Sequence, residues 1–261
     1  MLHFGKIAII GAGNVAYTLC KVLKNKGITP FCVFVRNELS AEKMRQKLKV
    51  DVVSDYEKVL KSDFLIIAVN DDSIPEVATH LVDYKGLVVH TSGTKSSRLL
   101  NSVERYGVFY PLQTISKERE ISFDEIPLLI HANSDEDLAK LRAFAEILSS
   151  KVFECDDEQR KTIHLAAVFI SNFTNVMLGI GDKLLKDNGL SLEIMHPLMK
   201  EMIEKSFEIS PENALTGPAR RGDMATVRAH ENMLENYPKE QEIYRILTNY
   251  ILEKYQKNEK L

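Results

Sequence analysis

The chain has 261 residues, of which 44% are apolar and 27% are charged, the composition of a soluble globular protein that can bury a core without disulfides or metals. Its formal net charge of -3 gives no electrostatic reason to expect nucleic acid or a membrane surface as a partner. No run of about 18 consecutive apolar residues occurs, so no transmembrane helix is expected. The three cysteines lie far apart, which favours a reducing cytoplasm over a disulfide framework.

Short apolar runs, many of them β-branched, alternate with amphipathic stretches over the first 155 residues. Such runs are typical of strands that are buried on both faces, and their alternation with helical patterns predicts a parallel sheet with right-handed crossovers. The predicted strands cover residues 7–10, 31–35, 64–69, 87–89, 108–110, 128–130 and 152–153.

The pattern changes after Cys155. Asp156 and Gln159 have the spacing of a capping box, and a long helix is predicted from there to about Asn188. No strand pattern follows. Helix is predicted over 191–208, interrupted or restarted at Pro197, then a loop over 213–222 and helices over 223–235 and 239–257. The sequence therefore predicts a Rossmann parallel-sheet domain over 1–155 and an all-α domain over 156–261.

A glycine-rich motif, Gly11-Ala12-Gly13-Asn14-Val15-Ala16, follows the first predicted strand and opens a predicted helix. In this context the first glycine permits a tight turn, and the second lets the backbone approach a pyrophosphate. The helix N-terminus adds free N–H groups and a positive dipole end. The motif predicts dinucleotide binding, and the alternative is a glycine turn in a scaffold that has lost its ligand.

The end of the second strand distinguishes between the two nicotinamide dinucleotides. An acidic residue there binds the ribose 2′-hydroxyl of NAD, whereas arginine suits the 2′-phosphate of NADP. Here Arg36 and Asn37 occupy that position, which favours NADP(H). Glu38 keeps NAD(H) open as the alternative, and a solvated loop arginine is the other interpretation of Arg36.

Polar residues also follow the next strands, where ligands of open α/β sheets bind. Val69 and Asn70 end one strand, and Ser92 follows another. Asn70 and Ser92 are predicted to contact the nicotinamide ribose or amide. Capping of the following helices is an equally good interpretation of both residues.

The long helix carries polar residues within its most apolar part. At about 100° per residue, His164, Ser171 and Asn175 share one face, with Asn172 to one side. If this stripe faces the nucleotide, His164 is a candidate proton donor, with Asn172 and Asn175 orienting the substrate. The alternative is a structural polar seam between helices or subunits.

A loop with two glycines and two arginines is the other candidate binding segment. Arg220 or Arg221 would clamp an anionic group of the substrate, with Thr216 and Ser92 beside it, although solvated arginines in a plain turn are the simpler interpretation. Histidine and cysteine spacings match no zinc site, so no metal is predicted. Ser92 lacks the motif of a hydrolase nucleophile.

The motifs together resemble a family of bacterial Rossmann-like proteins labelled NADP oxidoreductases, with an uncharacterised helical C-terminal domain. The matching pieces are the glycine loop, His90-Thr91-Ser92-Gly93, Tyr110-Pro111-Leu112-Gln113, residues 164–172, Thr216-Gly217-Pro218 and Arg221-Gly222-Asp223. The resemblance implies a fold related to pyrroline-5-carboxylate reductase, the 3-hydroxyacid dehydrogenases and deazaflavin-dependent NADP reductases. It also implies that a C-terminal domain like that of 6-phosphogluconate dehydrogenase completes the active-site cleft and the homodimer.

One departure limits what this resemblance implies about chemistry. The 3-hydroxyacid dehydrogenases place a lysine four residues before an asparagine on the first long helix. Here Val168 lies four residues before Asn172, and Ser171 lies four before Asn175. We therefore predict a cytoplasmic NADP(H)-dependent oxidoreductase that acts on the C=O or C=N carbon of a small polar metabolite. The alternatives are a non-enzymatic NADP(H) sensor and a purely structural dimer.

Overall fold

The computed structural model describes residues 4–255, and these contain one eight-stranded sheet followed by helices. The strand order is β3-β2-β1-β4-β5-β6-β7-β8. The strands are β1 (Ile7–Ile10), β2 (Cys32–Phe34), β3 (Val52–Val53), β4 (Phe64–Ile67), β5 (Leu87–His90), β6 (Tyr106–Pro111), β7 (Leu128–Ala132) and β8 (Val152–Glu154). All seven predicted strands are present, and the eighth, β3, has two residues and is too short to give a sequence signal.

The sheet is buried on both faces, as the continuous apolar runs predicted. In β1, Ile7 and Ile9 belong to one core, whereas Ala8 and Ile10 belong to a second core on the opposite face. The helices that flank the strands are α1 (Asn14–Asn25), α2 (Glu38–Leu48), α3 (Tyr56–Val59), α4 (Ile74–Thr79) and α5 (Asp135–Leu148). Because β1 pairs in parallel with both β2 and β4, the connections leave β1 in opposite directions and open a crevice at its carboxyl end.

The sheet is mostly parallel, as predicted, with one antiparallel pairing that the sequence did not indicate. β7 runs antiparallel to β6, with Phe109 opposite Ile130. A parallel neighbour would need a crossover, usually a helix. Residues 112–127 form no helix, and the chain returns directly alongside β6. β8 is again parallel to β7, which it follows through α5.

The long helix begins as predicted. The Asp156 side chain accepts from the Gln159 backbone, and the Gln159 side chain accepts from the Asp156 backbone, which is a complete capping box. The helix comprises α6 (Asp157–Ala167), a π-helical segment (Val168–Phe173) and α7 (Thr174–Lys186). A π turn holds one residue more than an α turn, so the uniform 100° step is interrupted. The prediction that His164, Ser171 and Asn175 share one face assumed that step and stays a prediction.

The chain forms two compact units, Met1–Asn172 and Phe173–Leu261, and the division between them falls within this helix. The domain boundary predicted at residue 155 lies earlier, directly after the last strand. The remaining helices are α8 (His196–Ile209), α9 (Pro211–Ala214), α10 (Pro218–Arg221), α11 (Met224–Met233) and α12 (Pro238–Tyr255). Residues 213–222 were predicted as a loop but contain α10 and the end of α9, because Pro211 and Pro218 each begin a turn of helix. The end of the helix predicted to residue 257 lies outside the described residues.

The helix Asp157–Lys186 is long and apolar enough to cross a membrane by length and composition. Its most apolar window has a mean hydropathy of 1.6, and none of that window is buried. The sequence shows no uninterrupted apolar run of membrane-spanning length in this helix, because Ser171 and Asn172 break the run. Length and composition do not separate such a helix from one that packs against another protein.

The first turn of α6 is fastened to the sheet domain by a buried ion pair. Arg160 has no exposed side-chain surface, and its Nη2 donates to Asp157 Oδ1 at 2.7 Å and to the Lys95 carbonyl at 2.5 Å. The other Asp157 oxygen accepts from the Ser96 hydroxyl at 2.5 Å and the Ser97 backbone at 3.0 Å. The loop after β5 therefore holds the start of α6 in place.

Replacing Asp157 with asparagine should lower the free energy of unfolding by roughly 3–5 kcal/mol, because Arg160 would keep its buried charge without a counter-charge. Urea denaturation at neutral pH measures this. Glu158→Gln is the matched control, since its pair with Lys161 lies at the surface and contributes about 0–1 kcal/mol. Equal stability of the two variants would contradict the anchoring role.

The Asp157–Arg160 ion pair should also make the free energy of unfolding depend on pH. Burial alone would raise the pKa of Asp157, but the hydrogen bonds from Ser96, Ser97 and Arg160 outweigh burial and lower that pKa below its usual value of 3.8. This stabilisation is therefore present above about pH 4 and is lost as the pH falls further. We expect the wild type to lose stability below pH 4 more steeply than Asp157→Asn, as measured by urea denaturation across that range.

Candidate functional site

A cleft of about 680 Å³ opens at the carboxyl ends of β1, β2 and β4, where the topology predicts ligand binding. Its wall combines the glycine loop, the segment after β2 and the segment after β4. Nine of the ten predicted cofactor residues line it: Gly11, Ala12, Gly13, Asn14, Val15, Arg36, Asn37, Val69 and Asn70. The tenth, Ser92, does not.

The two glycines of the loop have different physical roles. Gly11 has a φ of +129°, and a Cβ there would lie 2.1 Å from the Ala68 carbonyl oxygen at the end of β4. A side chain at Gly11 is therefore excluded by the protein itself. At Gly13 a Cβ would meet nothing within 4 Å, and φ is -71°, so the protein itself tolerates a side chain there. The absence of a side chain at Gly13 leaves space for a ligand.

The N-terminus of α1 faces this loop without a side-chain cap and without an acidic residue in its first turn. Its N–H groups and positive dipole end are therefore suited to an anion. Lys117 Nζ donates to the Ala12 carbonyl at 2.7 Å, which adds a cation to the loop. Asn14 Nδ2 donates to the Ile115 carbonyl at 3.1 Å. Sequence inspection missed Lys117 because it lies about a hundred residues away, in the irregular segment between β6 and β7.

Arg36 lies at the end of β2 on the rim of the cleft, with Ser40 also in the wall. Its side chain is 57% exposed and its Nη1 pairs with Glu76 Oε1 at 2.5 Å. The Asn37 side chain caps α2 by accepting from the Ser40 backbone at 2.9 Å. Glu38, the residue that kept NAD(H) open, points to Arg45 instead, at 2.6 Å, and does not line the cleft.

An aromatic surface borders this end of the cleft. Tyr56 lines the cleft and lies between Phe34 and His80, with ring centroids 4.3 Å from each neighbour. Burial raises the pKa of the Tyr56 hydroxyl. The stack provides a flat apolar surface near Arg36, a surface of the kind that contacts a planar base.

Behind the other end of the cleft, Asp71 organises the loop after β5. Its Oδ2 accepts from the Ser92 hydroxyl at 2.7 Å and the Thr94 hydroxyl at 2.9 Å. The Ser92 oxygen also accepts from the Thr94 and Lys95 backbones. The Ser92 hydroxyl, which was predicted to bind cofactor and substrate, is thus buried and already hydrogen-bonded. The short helical turn Ser97–Leu100 that follows is capped by Ser96 rather than by Ser92.

His164 contacts two residues from other elements. Tyr110, near the end of β6, places its hydroxyl 3.1 Å from His164 Nδ1. Gly93 packs against both, since a Cβ there would lie 2.6 Å from His164 Nδ1 and 2.8 Å from Tyr110 Cζ. Tyr110 was quoted in the sequence motifs without a role, because its partner lies 54 residues away.

The other predicted catalytic and substrate residues are mostly exposed. Asn172 is exposed within the π segment, and Asn175 is exposed at the start of α7. Arg220 lies over the Tyr255 ring, 4.6 Å from its centroid, while Thr216 and Arg221 are exposed. Within residues 4–255, no three histidine, cysteine, aspartate or glutamate side chains are grouped to hold a metal ion.

The fold and this cleft define a dinucleotide-binding Rossmann protein with a helical C-terminal region. Residues 6–91 match the family model described as "NADP oxidoreductase coenzyme F420-dependent", and residues 126–251 match "Domain of unknown function (DUF2520)". A crystal structure of a "putative NADP oxidoreductase" from Bacteroides fragilis is 40% identical, with a TM-score of 0.87, covering 95% of this chain and 98% of that chain. The protein belongs to this family of NADP oxidoreductases, as the motifs predicted.

More distant structures share the fold. An imine reductase from Myxococcus stipitatus, in complex with NADP+, is 17% identical, with a TM-score of 0.67, covering 98% of this chain and 94% of that chain. A pyrroline-5-carboxylate reductase from Coxiella burnetii is 18% identical, with a TM-score of 0.61, covering 95% and 99%. A comparison with curated proteins found no match. The predicted fold class, enzyme class and cofactor, NADP(H), are confirmed at the level of the family.

The glycine loop can be tested with two alanine variants. Gly11→Ala should destabilise the protein by at least about 1–3 kcal/mol, because it combines a positive φ with a backbone clash. Gly13→Ala should leave the free energy of unfolding unchanged or raised by up to about 1 kcal/mol. Its dissociation constant for NADPH should nevertheless rise tenfold or more, since the methyl group fills ligand space. Urea denaturation and fluorescence titration check both, and unchanged NADPH binding by Gly13→Ala would show that the pyrophosphate lies elsewhere.

Proposed function

We propose that the protein transfers hydride between NADP(H) and the C=O or C=N carbon of a small polar metabolite. The observation that carries the proposal is a single cleft lined by both the glycine loop and Arg36, in a member of an NADP oxidoreductase family. The loop and the α1 N-terminus would hold the pyrophosphate. Arg36 and Ser40 would hold the 2′-phosphate, and Tyr56 would contact adenine.

The charges at the rim favour NADP(H) over NAD(H). In the described chain, no carboxylate occupies the position after β2 that would accept the ribose 2′-hydroxyl, because Glu38 is turned to Arg45. Arg36 is about half exposed and already oriented by Glu76. A phosphate can share or displace this partner, since a surface ion pair of this kind contributes only about 0–1 kcal/mol.

In the reductive direction, bound NADPH would supply a hydride, two electrons with one proton, to the substrate carbon. The π bond then breaks toward oxygen or nitrogen, which must take up a proton. His164 would supply this proton as an imidazolium and would become a neutral imidazole. Asn172 and Asn175 would orient the substrate. The lysine of the 3-hydroxyacid dehydrogenases is replaced by Val168 or Ser171, so the proton donor of those enzymes is not retained.

Binding of an anionic substrate group stays a prediction for Thr216, Arg220 and Arg221. The free surface of Arg221 supports the prediction most directly. Ser92 would have to exchange its bond with Asp71 to bind a ligand. A cytoplasmic location is proposed because all three cysteines, each within the described chain, are buried free thiols.

The cofactor proposal is tested by titrating the protein with NADPH and, separately, with NADH at fixed salt. Arg36→Ala should weaken NADPH binding about 10- to 100-fold, the loss of one charge-assisted contact of roughly 1.5–3 kcal/mol, and should leave NADH binding unchanged. Arg45→Ala is the control, since this arginine pairs with Glu38 and does not line the cleft. An equal loss for both nucleotides would reject Arg36 as the 2′-phosphate ligand.

An enzyme and a sensor differ in one readout. With a panel of small carbonyl and imine compounds, the enzyme would oxidise NADPH, and the NADPH absorbance would fall only when a substrate is present. Tight NADPH binding without NADPH oxidation in the presence of any compound of the panel would support the alternative that the protein is a sensor.

We also propose that the second compact unit, residues 173–261 (the helical unit), pairs with a second copy of itself. Among the described residues of this unit, only Ala219, Val227, Leu234 and Thr248 are buried. A unit of this length with so few buried side chains has little apolar core of its own. Large apolar side chains meanwhile remain exposed along α8, including Leu198, Met202, Ile203 and Phe207. A self-complementary partner would cover this face.

Sedimentation equilibrium should therefore give twice the monomer mass for the wild type. Phe207→Lys should shift the protein toward monomer or lower its melting temperature, because it places a charge in the paired face. Glu208→Lys, an exposed neighbour on the same helix, should do neither. A monomeric wild type that co-sediments with lipid vesicles would overturn the proposal in favour of a membrane surface.

A further inference from the structure

We infer that Tyr110 is a positioning residue that engages Nδ1 of His164, which leaves Nε2 as the nitrogen that transfers the proton. The neutral ring then carries its hydrogen on Nε2. The protonated ring, which is the acid, gives the Nε2 proton to the substrate and keeps the Nδ1 hydrogen, which the Tyr110 oxygen accepts. The inference rests on the proposed role of His164 as proton donor. It deepens that role by stating which ring nitrogen acts and what selects it.

The first observation is the hydrogen bond itself. Tyr110 and His164 come from β6 and α6, and the hydroxyl oxygen lies 3.1 Å from Nδ1, with ring centroids 6.0 Å apart. In a neutral imidazole, one nitrogen donates and the other accepts, and the bond made by one nitrogen decides the role of the other. A hydroxyl that donates to Nδ1 therefore leaves the proton on Nε2.

The second observation concerns which group donates. Burial raises the pKa of Tyr110, the charge of Asp71 raises it further, and the buried Arg160 opposes them. The phenol thus keeps its proton throughout the neutral range. Among the described residues, the Tyr110 hydroxyl has His164 Nδ1 as its hydrogen-bond partner. Its proton has an acceptor there when the neutral ring leaves Nδ1 unprotonated, so we infer that the hydroxyl is the donor.

The third observation is that Gly93 packs directly against both rings. Any side chain at Gly93 would collide with His164 Nδ1 and with the Tyr110 ring. Gly93 belongs to the loop after β5, in which Ser92 and Thr94 bond Asp71. Asp71 of this network and Thr91, which follows β5, line the nucleotide cleft. The Tyr110–His164 pair is therefore supported by the same loop that borders the cleft.

The helical unit contains a second pair of the same kind, which serves as an internal reference. His230 Nδ1 lies 3.0 Å from the Tyr244 hydroxyl. Both histidines should therefore show the Nε2–H tautomer in the wild type. A change confined to His164 would separate a local effect of Tyr110 from a general disturbance.

The decisive experiment records imidazole ¹⁵N spectra of the ligand-free, full-length protein at a pH above the ordinary histidine range of about 6.5. In Tyr110→Phe, His164 should become a mixture of tautomers, while His230 keeps Nε2–H. Gly93→Ala keeps the hydroxyl but pushes the rings apart, and should have the same effect on His164. An unchanged Nε2–H tautomer of His164 in Tyr110→Phe would overturn the inference.

Turnover then links the tautomer to the reaction. Tyr110→Phe should lower the turnover of NADPH with an active substrate by roughly tenfold, and His164→Gln by roughly 100-fold or more, the contribution of general acid catalysis. Tyr106→Phe, the same substitution at the start of β6, is the control and should retain full turnover. Full turnover in Tyr110→Phe would overturn the positioning role. Because the spectra need neither nucleotide nor substrate, they test Tyr110 even if the wild type consumes no NADPH.

Discussion

The nucleotide cleft depends on the close approach of the Gly11 backbone to the carbonyl of Ala68. With no side chain between them, β1 and β4 can pair in parallel to their ends while the chain turns sharply into α1. This turn aims the uncapped end of α1 into the crevice. If the loop were displaced, the dipole, the space above Gly13 and the alignment with Arg36 would all change together.

Charge is distributed unequally around that cleft. The loop end combines a helix N-terminus with the ammonium group of Lys117, while the rim at β2 has Arg36 held by Glu76. Asp71 is engaged with two hydroxyl groups on the far side. Positive groups therefore lie where phosphates would bind, whereas the Asp71 carboxylate is engaged in hydrogen bonds within the protein. This distribution of charge is consistent with an anionic cofactor.

The beginning of the long helix is as firmly held as the glycine loop. The Asp157–Arg160 pair is tied to Ser96, Ser97 and the Lys95 carbonyl, so the loop after β5 positions both α6 and, through Gly93, His164. A buried pair of this kind is costly to desolvate, so it adds little net stability when both partners are present, whereas removal of one partner is strongly destabilising.

The sequence alone determined the features that depend on neighbouring residues. The strand runs, the glycine loop, Arg36 after β2 and the Asp156 capping box are local patterns, since burial, turn geometry and helix capping act over a few residues. Only the tertiary structure decided the direction of β7, the approach of Lys117 to Ala12, the bond between Tyr110 and His164, and the occupation of the Ser92 hydroxyl by Asp71. These features join residues separated by up to about a hundred positions, and their contacts exist only once the sheet has brought the strand ends together. The π segment belongs with them, because a helical pattern read at a uniform step carries no sign of where the helix accommodates an extra residue.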